Sequence, residues 1–309
     1  MHKGTDNQIA DAVRGHWVET LLPQSWRPYA QLARFDRPIG WWLLLLPCWW
    51  STALAAVKAD EGGLDLYHIL LFVIGAVVMR GAGCTYNDIV DRDIDKAVAR
   101  TSLRPIASGR ISVFKASLFM ILLCLTGLGV LLQFNAFTII LGLSSLVFVA
   151  IYPFMKRITN WPQLTLGLAF SWGALVGWAA IFGSLAPAPV LLYAGAILWT
   201  IGYDTIYAHQ DREDDALIGV KSTALLFGEH TKPWLIGFYA GATVLFAASF
   251  FLAEAGIVSF AGLALGAGHM IYQVKRLDIH DGLQCLMMFR SNRDYGLILF
   301  AALTLDTLV

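Results

Sequence analysis

Residues 68–95 read HILLFVIGAVVMRGAGCTYNDIVDRDID, an apolar run that ends in a cluster of carboxylates. The apolar part is long enough to cross the hydrocarbon core of a bilayer as a helix, which takes about 20 residues. The stretch NDIVDRDID then places Asn87 and several aspartates where this helix leaves the membrane. The segment therefore predicts a transmembrane helix that carries an acidic site at one end.

The whole chain has the composition of a membrane protein. Its 309 residues are 57% hydrophobic and 14% charged, with a mean hydropathy of +0.62, outside the usual range of soluble domains. The 22 basic and 22 acidic side chains cancel, so no net positive field attracts nucleic acid. The four cysteines are scattered without a CxxC pair, which favours neither a zinc site nor a disulfide framework.

Further apolar runs predict an all-α, polytopic membrane protein with nine transmembrane helices. The runs lie near residues 38–58, 68–86, 113–132, 135–154, 162–182, 188–208, 234–253, 256–275 and 294–308. The last run is the shortest. Residues 1–30 carry charges and lack an early apolar run, so we expect a cytoplasmic surface segment there, followed by a single transmembrane domain over 31–309.

A second acidic stretch, DTIYAHQDREDD over 204–215, follows the sixth run. At about 100° per residue, three carboxylates fall on one helical face in each stretch. They are Asp88, Asp91 and Asp95 in the first stretch, and Asp204, Asp211 and Asp215 in the second. Because several carboxylates close together near hydrocarbon repel one another, we expect a cation that compensates their charge. Mg²⁺ prefers oxygen ligands and usually bridges a few carboxylates to the phosphate oxygens of a substrate. The pattern favours a Mg²⁺-bridged diphosphate site over the alternative of solvated acidic residues at helix ends.

Basic residues flank the apolar runs almost exclusively on one side. Of the 22 Lys and Arg residues, 20 lie in the N-terminal segment or beside the loops after the even-numbered runs. Lys58 lies on the opposite side, and Arg80 falls within the second run. Because loops rich in Lys and Arg stay in the cytoplasm, the N-terminus and both acidic stretches are expected there, with the C-terminus outside.

Several basic residues on the cytoplasmic side are candidates for contact with a diphosphate. They are Arg92, Arg100, Arg104, Lys156, Arg157 and Lys221. Arg80, inside the second run, is either a substrate contact or the structural partner of a nearby carboxylate. His209 is either a ligand or a hydrogen-bonding surface residue.

These stretches resemble the UbiA superfamily of intramembrane prenyltransferases, whose signatures are NDxxDxxxD and DxxxD. Both signatures are present, the first from Asn87 and the second from Asp211. Five stretches resemble the branch of the family that prenylates 4-hydroxybenzoate in ubiquinone synthesis: RFDRPIG from Arg34, MRGAGCTYND from Met79, RPIASG from Arg104, YPFMKR from Tyr152 and GVKSTA from Gly219. The resemblance covers about residues 30–305, with Arg37 in place of the commoner Lys.

The resemblance implies nine helices around a central cavity and a faint internal duplication, which residue identities do not show. It also implies transfer of a polyprenyl group from polyprenyl diphosphate to the carbon ortho to the hydroxyl of 4-hydroxybenzoate. The implied metal ligands for Mg²⁺ are Asp88, Asp91, Asp95, Asp211 and Asp215. The expected location is a bacterial inner membrane, in contact with lipid and without nucleic acid, with the C-terminus in the periplasm.

The remaining site residues are expected to handle the two substrates. Asp204, two turns before Asp211, is expected to orient or partly deprotonate the phenol, or else to be held by Arg80. Lys156 and Arg157 are expected at the reacting groups, on either the diphosphate or the benzoate carboxylate. The other expected substrate contacts are Asn87, Arg80, Arg100, Tyr152, Tyr207, Lys221 and Arg34.

Two alternatives stay open. Another member of the superfamily, such as haem O synthase or a homogentisate or naphthoate prenyltransferase, would share both signatures, but the YPFMKR and DREDD stretches argue against it. A divalent-cation transporter would line a path with carboxylates on both sides of the membrane. The opposite loops hold only Asp60, Glu61, Asp65 and Glu254, which form no phased cluster.

Reporter fusions test the topology. A reporter fused after Arg110 or after Lys232 should report the cytoplasm, and one fused near Asp60 or Pro187 should report the opposite side, because basic loops are retained. Reversed signals would place the acidic stretches outside the cytoplasm and contradict the assignment.

Overall fold

The computed structural model describes residues 16–60, 62–98 and 101–309, and regular structure in these ranges is helical throughout. In chain order the first helices are α1 (Trp17–Thr20), α2 (Arg27–Leu32), α3 (Ile39–Ala59), α4 (Leu66–Val90), α5 (Arg92–Ala97), α6 (Val113–Leu131), α7 (Ala136–Ser144), α8 (Leu146–Ile158) and α9 (Pro162–Phe170). They are followed by α10 (Gly173–Phe182), α11 (Pro187–Ala208), α12 (Arg212–Ile218), α13 (Thr223–Phe227), α14 (Thr231–Leu252), α15 (Ile257–Arg276), α16 (Gly282–Arg290) and α17 (Asn292–Asp306).

Within the described residues, eight helical segments are long and apolar enough to cross a membrane. Four are the single helices α3, α4, α6 and α15, and the others are α7 with α8, α9 with α10, α11 with α12, and α13 with α14. The predicted all-α, polytopic fold is confirmed, and the chain is an integral membrane protein. Helices suit this setting because they satisfy their own backbone hydrogen bonds where lipid offers no partner.

The ninth predicted run differs from the other eight. It forms α17, whose 15 residues are fewer than the roughly 20 that a crossing needs. Buried Tyr295, Leu299 and Leu303 line this helix, which packs along α15. Its apolar residues pack against α15, and eight segments other than α17 are long and apolar enough to cross a membrane among the described residues, a small difference from the nine predicted.

The helices form two compact units, and the first contains the described residues up to Trp41 together with Gly75–Gly129. Two apolar clusters make its core, one of Leu32, Ile106, Ile111 and Ala116 and one of Ala33, Ala82 and Leu123. The end of α2 is thereby packed on α4, α6 and the loop after α5. A boundary at residue 30 stays a prediction, and residues 1–15 lie outside the described residues.

The second unit contains Trp42–Ile74 and Val130–Val309, with α11 packed against α9, α10, α14 and α16. Aromatic rings fill its interior. The Trp199 ring lies 5.0 Å from that of Trp50 and 4.8 Å from that of Tyr203, centroid to centroid. Each of these side chains is at most 1% exposed, so α11 is fixed by rigid neighbours just before the second acidic stretch.

The buried side-chain amide of Asn292 in this unit leads to a prediction about stability. Asn292 is fully buried, accepts a hydrogen bond from Trp199 Nε1 at 2.9 Å and donates to the Met288 carbonyl at 3.1 Å. Asn292→Ala should lower the free energy of unfolding by about 1–3 kcal/mol, because the indole N–H loses its acceptor. Denaturation in detergent micelles measures this, with Asn160→Ala at an exposed position as the control. Equal stability of the two variants would contradict the assignment.

Candidate functional site

The first acidic stretch lies where α4 gives way to α5. Asp91 joins the two helices at φ −95° and ψ 5°. Its N–H still donates to the Asn87 carbonyl at 2.9 Å, and the Asp95 N–H donates to the Asp91 carbonyl at 2.8 Å. Because these hydrogen bonds bridge the break, the helical phase continues through the motif.

The burial of the aspartates in this stretch follows the helical phase. Asp88, Asp91 and Asp95 are 1%, 0% and 3% exposed. The side chain of Asp93, off the shared face, is 74% exposed and forms ion pairs at 3.6 Å with Arg92 and Lys96. The motif thus gathers three carboxylates in the interior of the first unit and leaves the fourth outside.

Two arginines neutralise part of this buried charge. Arg34 Nη2 donates to Asp88 Oδ1 at 2.6 Å. Arg104 Nη1 donates to both Asp95 oxygens at 2.9 Å and to Asp88 Oδ1 at 3.3 Å. Both arginine side chains are at most 15% exposed. A buried carboxylate without such a partner would cost several kcal/mol.

The neighbouring carboxylates keep the guanidinium of Arg34 positively charged. Burial would lower the pKa of Arg34, but Asp88 and its other anionic neighbours outweigh that effect and raise it. Burial raises the pKa of Asp95 above its ordinary value. Asp88 and Asp91 raise this pKa further, whereas Arg104 lowers it. Crowding of the carboxylates is therefore only partly relieved by the guanidinium groups.

Arg34 occupies an unusual backbone position. It has φ 59°, in the left-handed region, directly after the C-cap of α2. Its side chain also donates to the Gln31 carbonyl at 2.8 Å. Glycine is the usual residue at such a helix end, so an arginine there indicates that its side chain is needed.

The structure gives specific partners to one basic candidate, Arg104, and adds Asp36, which the sequence patterns did not single out. Arg104 was one of several basic candidates, and its contacts to two motif carboxylates become visible only in the fold. Asp36, in the RFDRPIG stretch, is 2% exposed and accepts from Arg37 Nε at 3.3 Å. Its position between two arginines was the available signal in the sequence.

Arg80 packs against the start of α3. A Cβ added to Gly40 would lie 2.5 Å from Arg80 Nε and 2.9 Å from its Nη2. The glycine therefore gives the guanidinium room beside the backbone. This contact explains the glycine of the RFDRPIG stretch and leaves the substrate role of Arg80 a prediction.

The second acidic stretch follows α11 in the second unit. A 3₁₀ turn over His209–Asp211 leads into α12, and Asp211 has φ −110° and ψ 5°. Gly219, at φ 74°, ends α12 by donating its N–H to the Asp215 carbonyl. Asp204, Asp211 and Asp215 are half-buried.

The two acidic stretches repeat one local structure 120 residues apart, TYNDIVDRDID from Thr85 and TIYAHQDREDD from Thr205. Each begins with a buried threonine whose hydroxyl donates to the carbonyl four residues earlier, at 2.8 Å and 2.6 Å. Each contains DRxxD, with its first aspartate at ψ 5° between a long and a short helix. This local match agrees with the internal duplication that the family resemblance implies.

Besides the two DRxxD carboxylates, each stretch has a third carboxylate on the same helical face, and its position differs between the two stretches. The register that pairs Asp91 with Asp211 pairs Asp88 with Ala208, and Cys84 with Asp204. On the helical face that the motif carboxylates share, each half thus carries the DRxxD carboxylates plus one acidic residue of its own, Asp88 in the first and Asp204 in the second.

The YPFMKR and GVKSTA stretches meet in the second unit. The Lys221 N–H donates to the Lys156 carbonyl at 2.8 Å, and Lys221 Nζ donates to the Ile158 carbonyl at 3.0 Å. Lys221 therefore caps the C-terminus of α8, where a cation is favourable. Arg157 is exposed, with its guanidinium carbon 5.9 Å from the centre of the Phe154 ring, and Tyr152 is half-buried on the same helix.

Two residues near the second motif have structural partners. The Tyr207 ring lies 4.5 Å from that of Phe289. His209 is 6% exposed, and its Nε2 lies 2.9 Å from Thr231 Oγ1, which donates its hydrogen to the Gly228 carbonyl. Nε2 is therefore the protonated nitrogen, and His209 ties the motif to the start of α14. Arg100 lies outside the described residues.

Among the residues that the structure describes, no three His, Cys, Asp or Glu side chains converge on a point that would hold a metal ion. In the first motif, the carboxylates of Asp88 and Asp95 contact arginines. Asp88 Oδ2 is buried and has no hydrogen-bond partner among these residues. Carboxylate oxygens, the donors that Mg²⁺ prefers, are thus present in the first motif.

Residues 44–294 match the UbiA prenyltransferase family. The chain belongs to this family. The protein named 4-hydroxybenzoate polyprenyltransferase, mitochondrial, of Arabidopsis thaliana is 49% identical over 308 residues, covering 98% of this chain and 75% of the relative. The protein of that name from Homo sapiens is 51% identical over 296 residues, covering 94% of this chain and 78% of the relative.

Solved UbiA structures have the same fold. The apo structure of a UbiA homologue from Aeropyrum pernix K1 superposes with a TM-score of 0.71 at 25% identity, covering 86% of this chain and 97% of that one. A UbiA homologue from Archaeoglobus fulgidus, solved with DMAPP and Mg²⁺, gives a TM-score of 0.64 at 22% identity, covering 89% and 99%. The family prediction is confirmed, and the chain is a membrane prenyltransferase.

Paired substitutions test the acidic residues of this UbiA protein. Asp91→Asn and Asp211→Asn should each lower prenyl transfer at least tenfold, about 1.4 kcal/mol, because a charged oxygen ligand is lost at constant size. Asp93→Asn and Glu213→Gln, at exposed neighbouring positions, are the matched controls and should stay near the wild-type rate. Assays in proteoliposomes measure this, and more than a tenth of wild-type activity in either motif variant would remove that residue from the metal ligands.

Proposed function

We propose that the chain transfers a polyprenyl group from polyprenyl diphosphate to the ring carbon ortho to the hydroxyl of 4-hydroxybenzoate, in ubiquinone biosynthesis. The observation that carries the proposal is the pair of DRxxD motifs, each at the end of a long apolar helix. Relatives named for this activity are about half identical over nearly the whole chain. Their similarity supports the acceptor as well as the reaction type.

We propose Mg²⁺ as the cofactor, held by Asp88, Asp91 and Asp95 from the first motif and by Asp211 and Asp215 from the second. The first motif fits this ion because it offers buried carboxylates and an oxygen, Asp88 Oδ2, without a hydrogen-bond partner among the described residues. Mg²⁺ usually takes a few carboxylates and completes its shell with water and phosphate. When bound, it supplies Lewis-acid stabilisation of the departing diphosphate.

The protein's own side chains then position the two substrates. Arg34, Arg80, Arg100, Lys156, Arg157 and Lys221 are the proposed cationic contacts, and Asn87, Tyr152 and Tyr207 the proposed polar ones. A planar guanidinium suits the benzoate carboxylate, since it donates two parallel hydrogen bonds. The hydrocarbon surroundings keep water away from the allylic carbon, which water would convert to an alcohol.

Asp204 is the proposed group that orients the phenol and accepts its proton. On α11 it lies about 10 Å along the helix axis from Asp211, so it is deeper than the DRxxD carboxylates. It has no acidic counterpart in the first stretch, where Cys84 occupies the matching position. A residue specific to one half fits the substrate that the reaction uses once, the aromatic acceptor.

We propose that both motifs lie on the membrane side where Lys and Arg accumulate, with the C-terminus opposite. The relatives are named as mitochondrial proteins, so the comparisons give no support for the expected bacterial inner membrane. The proposed orientation follows from the tendency of loops rich in Lys and Arg to stay in the cytoplasm. The reporter fusions described above test it.

An acceptor panel tests the function. Purified protein in proteoliposomes with Mg²⁺ and one labelled prenyl diphosphate should prenylate 4-hydroxybenzoate, and should leave homogentisate and dihydroxynaphthoate largely unmodified. Asp211→Asn is the negative control. Preferential prenylation of either other acceptor would overturn the assigned substrate while leaving the family intact.

Asp204→Asn should separate substrate binding from aromatic attack. The variant should bind prenyl diphosphate nearly as the wild type does, yet lose most of the aryl product because the phenol is no longer activated. Diphosphate release and prenylated benzoate are measured side by side in the same vesicles. If Asp204→Asn and Asp211→Asn lose prenyl diphosphate binding equally, Asp204 belongs with the metal carboxylates instead.

A further inference from the structure

The arginines in the first unit contact three of the four carboxylate oxygens of Asp88 and Asp95. Arg104 Nη1 contacts both oxygens of Asp95 at 2.9 Å, and Arg34 Nη2 contacts Asp88 Oδ1 at 2.6 Å. Mg²⁺ binds oxygen at about 2.0–2.1 Å in a nearly ideal octahedron. A cation seated on the same Asp95 oxygens would lie within a few ångströms of the guanidinium, and two positive charges so close repel strongly.

The charge count agrees with an exchange. Arg34 and Arg104 supply two positive charges to the buried carboxylates of Asp88 and Asp95. A divalent cation supplies the same two charges. A cation bound to Asp88 and Asp95 would therefore replace both arginines without changing the charge beside these two carboxylates.

The backbone positions of Arg34 and Arg104 are also consistent with side chains that exchange their partners. Arg34 has φ 59°, a backbone conformation that is unfavourable for a residue other than glycine, and its guanidinium still reaches Asp88. Leu32 and Ile106, each two residues from one of these arginines, pack in the same buried apolar cluster. The backbone beside each arginine is therefore held in place, whereas a long side chain with several rotatable bonds can change its partner.

We propose that Arg34 and Arg104 are internal substitutes for the divalent cation, holding Asp88 and Asp95 until metal and prenyl diphosphate bind together. The released guanidinium groups then donate to the diphosphate oxygens, which accept two parallel hydrogen bonds from an arginine. This inference rests on the proposed function and deepens it. Arg104 is a positioning residue in the arginine-paired state and a diphosphate contact after the exchange.

The exchange makes metal and diphosphate binding cooperative. Metal alone has to displace the arginines without offering them a new partner, so it binds weakly to the first motif. The diphosphate provides that partner, and each ligand then raises the affinity for the other by the same factor. The site would therefore admit a divalent cation mainly when the anionic substrate is present.

The test measures Mn²⁺ binding to the full-length protein in nanodiscs, from the electron paramagnetic resonance signal of free Mn²⁺. Arg104→Gln should bind Mn²⁺ alone about tenfold more tightly than the wild type, because one charged hydrogen-bond competitor is removed. Lys96→Gln is the matched control, since Lys96 lies beside Asp95 in sequence but is exposed and pairs with Asp93. It removes the same charge without touching the buried carboxylates and should change the affinity far less.

Two further variants keep the result interpretable. Arg34→Gly removes the guanidinium at a backbone position that suits glycine, and it should also tighten Mn²⁺ binding. Adding Asp95→Asn to Arg104→Gln should abolish the gain, which assigns it to the first motif. An uncleavable prenyl thiolodiphosphate should tighten Mn²⁺ binding by a larger factor in the wild type than in Arg104→Gln.

Unchanged or weaker Mn²⁺ binding in both Arg104→Gln and Arg34→Gly, relative to Lys96→Gln, would overturn the exchange and make the arginines permanent structural partners. That result would leave the proposed function standing if the wild type still prenylates 4-hydroxybenzoate. Tighter Mn²⁺ binding in a protein that prenylates none of the tested acceptors would support the exchange and reject the function. The two failures are therefore distinguishable.

Discussion

Compensation of buried negative charge is the constraint on which the first unit depends. Asp88, Asp91 and Asp95 are almost fully withdrawn from water, and an uncompensated buried charge costs several kcal/mol. Arg34 and Arg104 meet this requirement from two different parts of the chain. The apolar clusters that join the end of α2 to α4, α6 and the loop after α5 are what keep those arginines within reach.

The duplicated motif solves a second problem, which is how to end a membrane helix on a carboxylate-rich face. A single residue near ψ 5°, Asp91 or Asp211, interrupts the helix. In the first stretch the hydrogen bonds of Asp91 and Asp95 carry the helical phase across the interruption. The carboxylates on both sides of the break therefore stay on one face. The same device appears twice, so one short sequence pattern is enough to build it.

Differences between the two copies separate general from specific chemistry. The DRxxD carboxylates occur in both, which suits the proposed diphosphate substrate, a group with many equivalent oxygens. Asp88 and Asp204 occur once each, and their counterparts are Ala208 and Cys84. Asp88 is tied to arginines in the first unit, whereas Asp204 lies within α11 below the second motif.

The sequence by itself determined the membrane-spanning fold, the family and the buried faces of the acidic motifs. A long apolar run has one stable conformation in lipid, the helix, and a 3.6-residue period then sets which aspartates point together. Only the tertiary structure decided the partners of the charged side chains. Arg34 meets Asp88 across 54 positions, and Lys221 caps α8 across 63. It also decided that the ninth apolar run packs along α15 as a 15-residue helix. These contacts join residues far apart in the chain, so they depend on which helices pack together, and local residue patterns carry no such information.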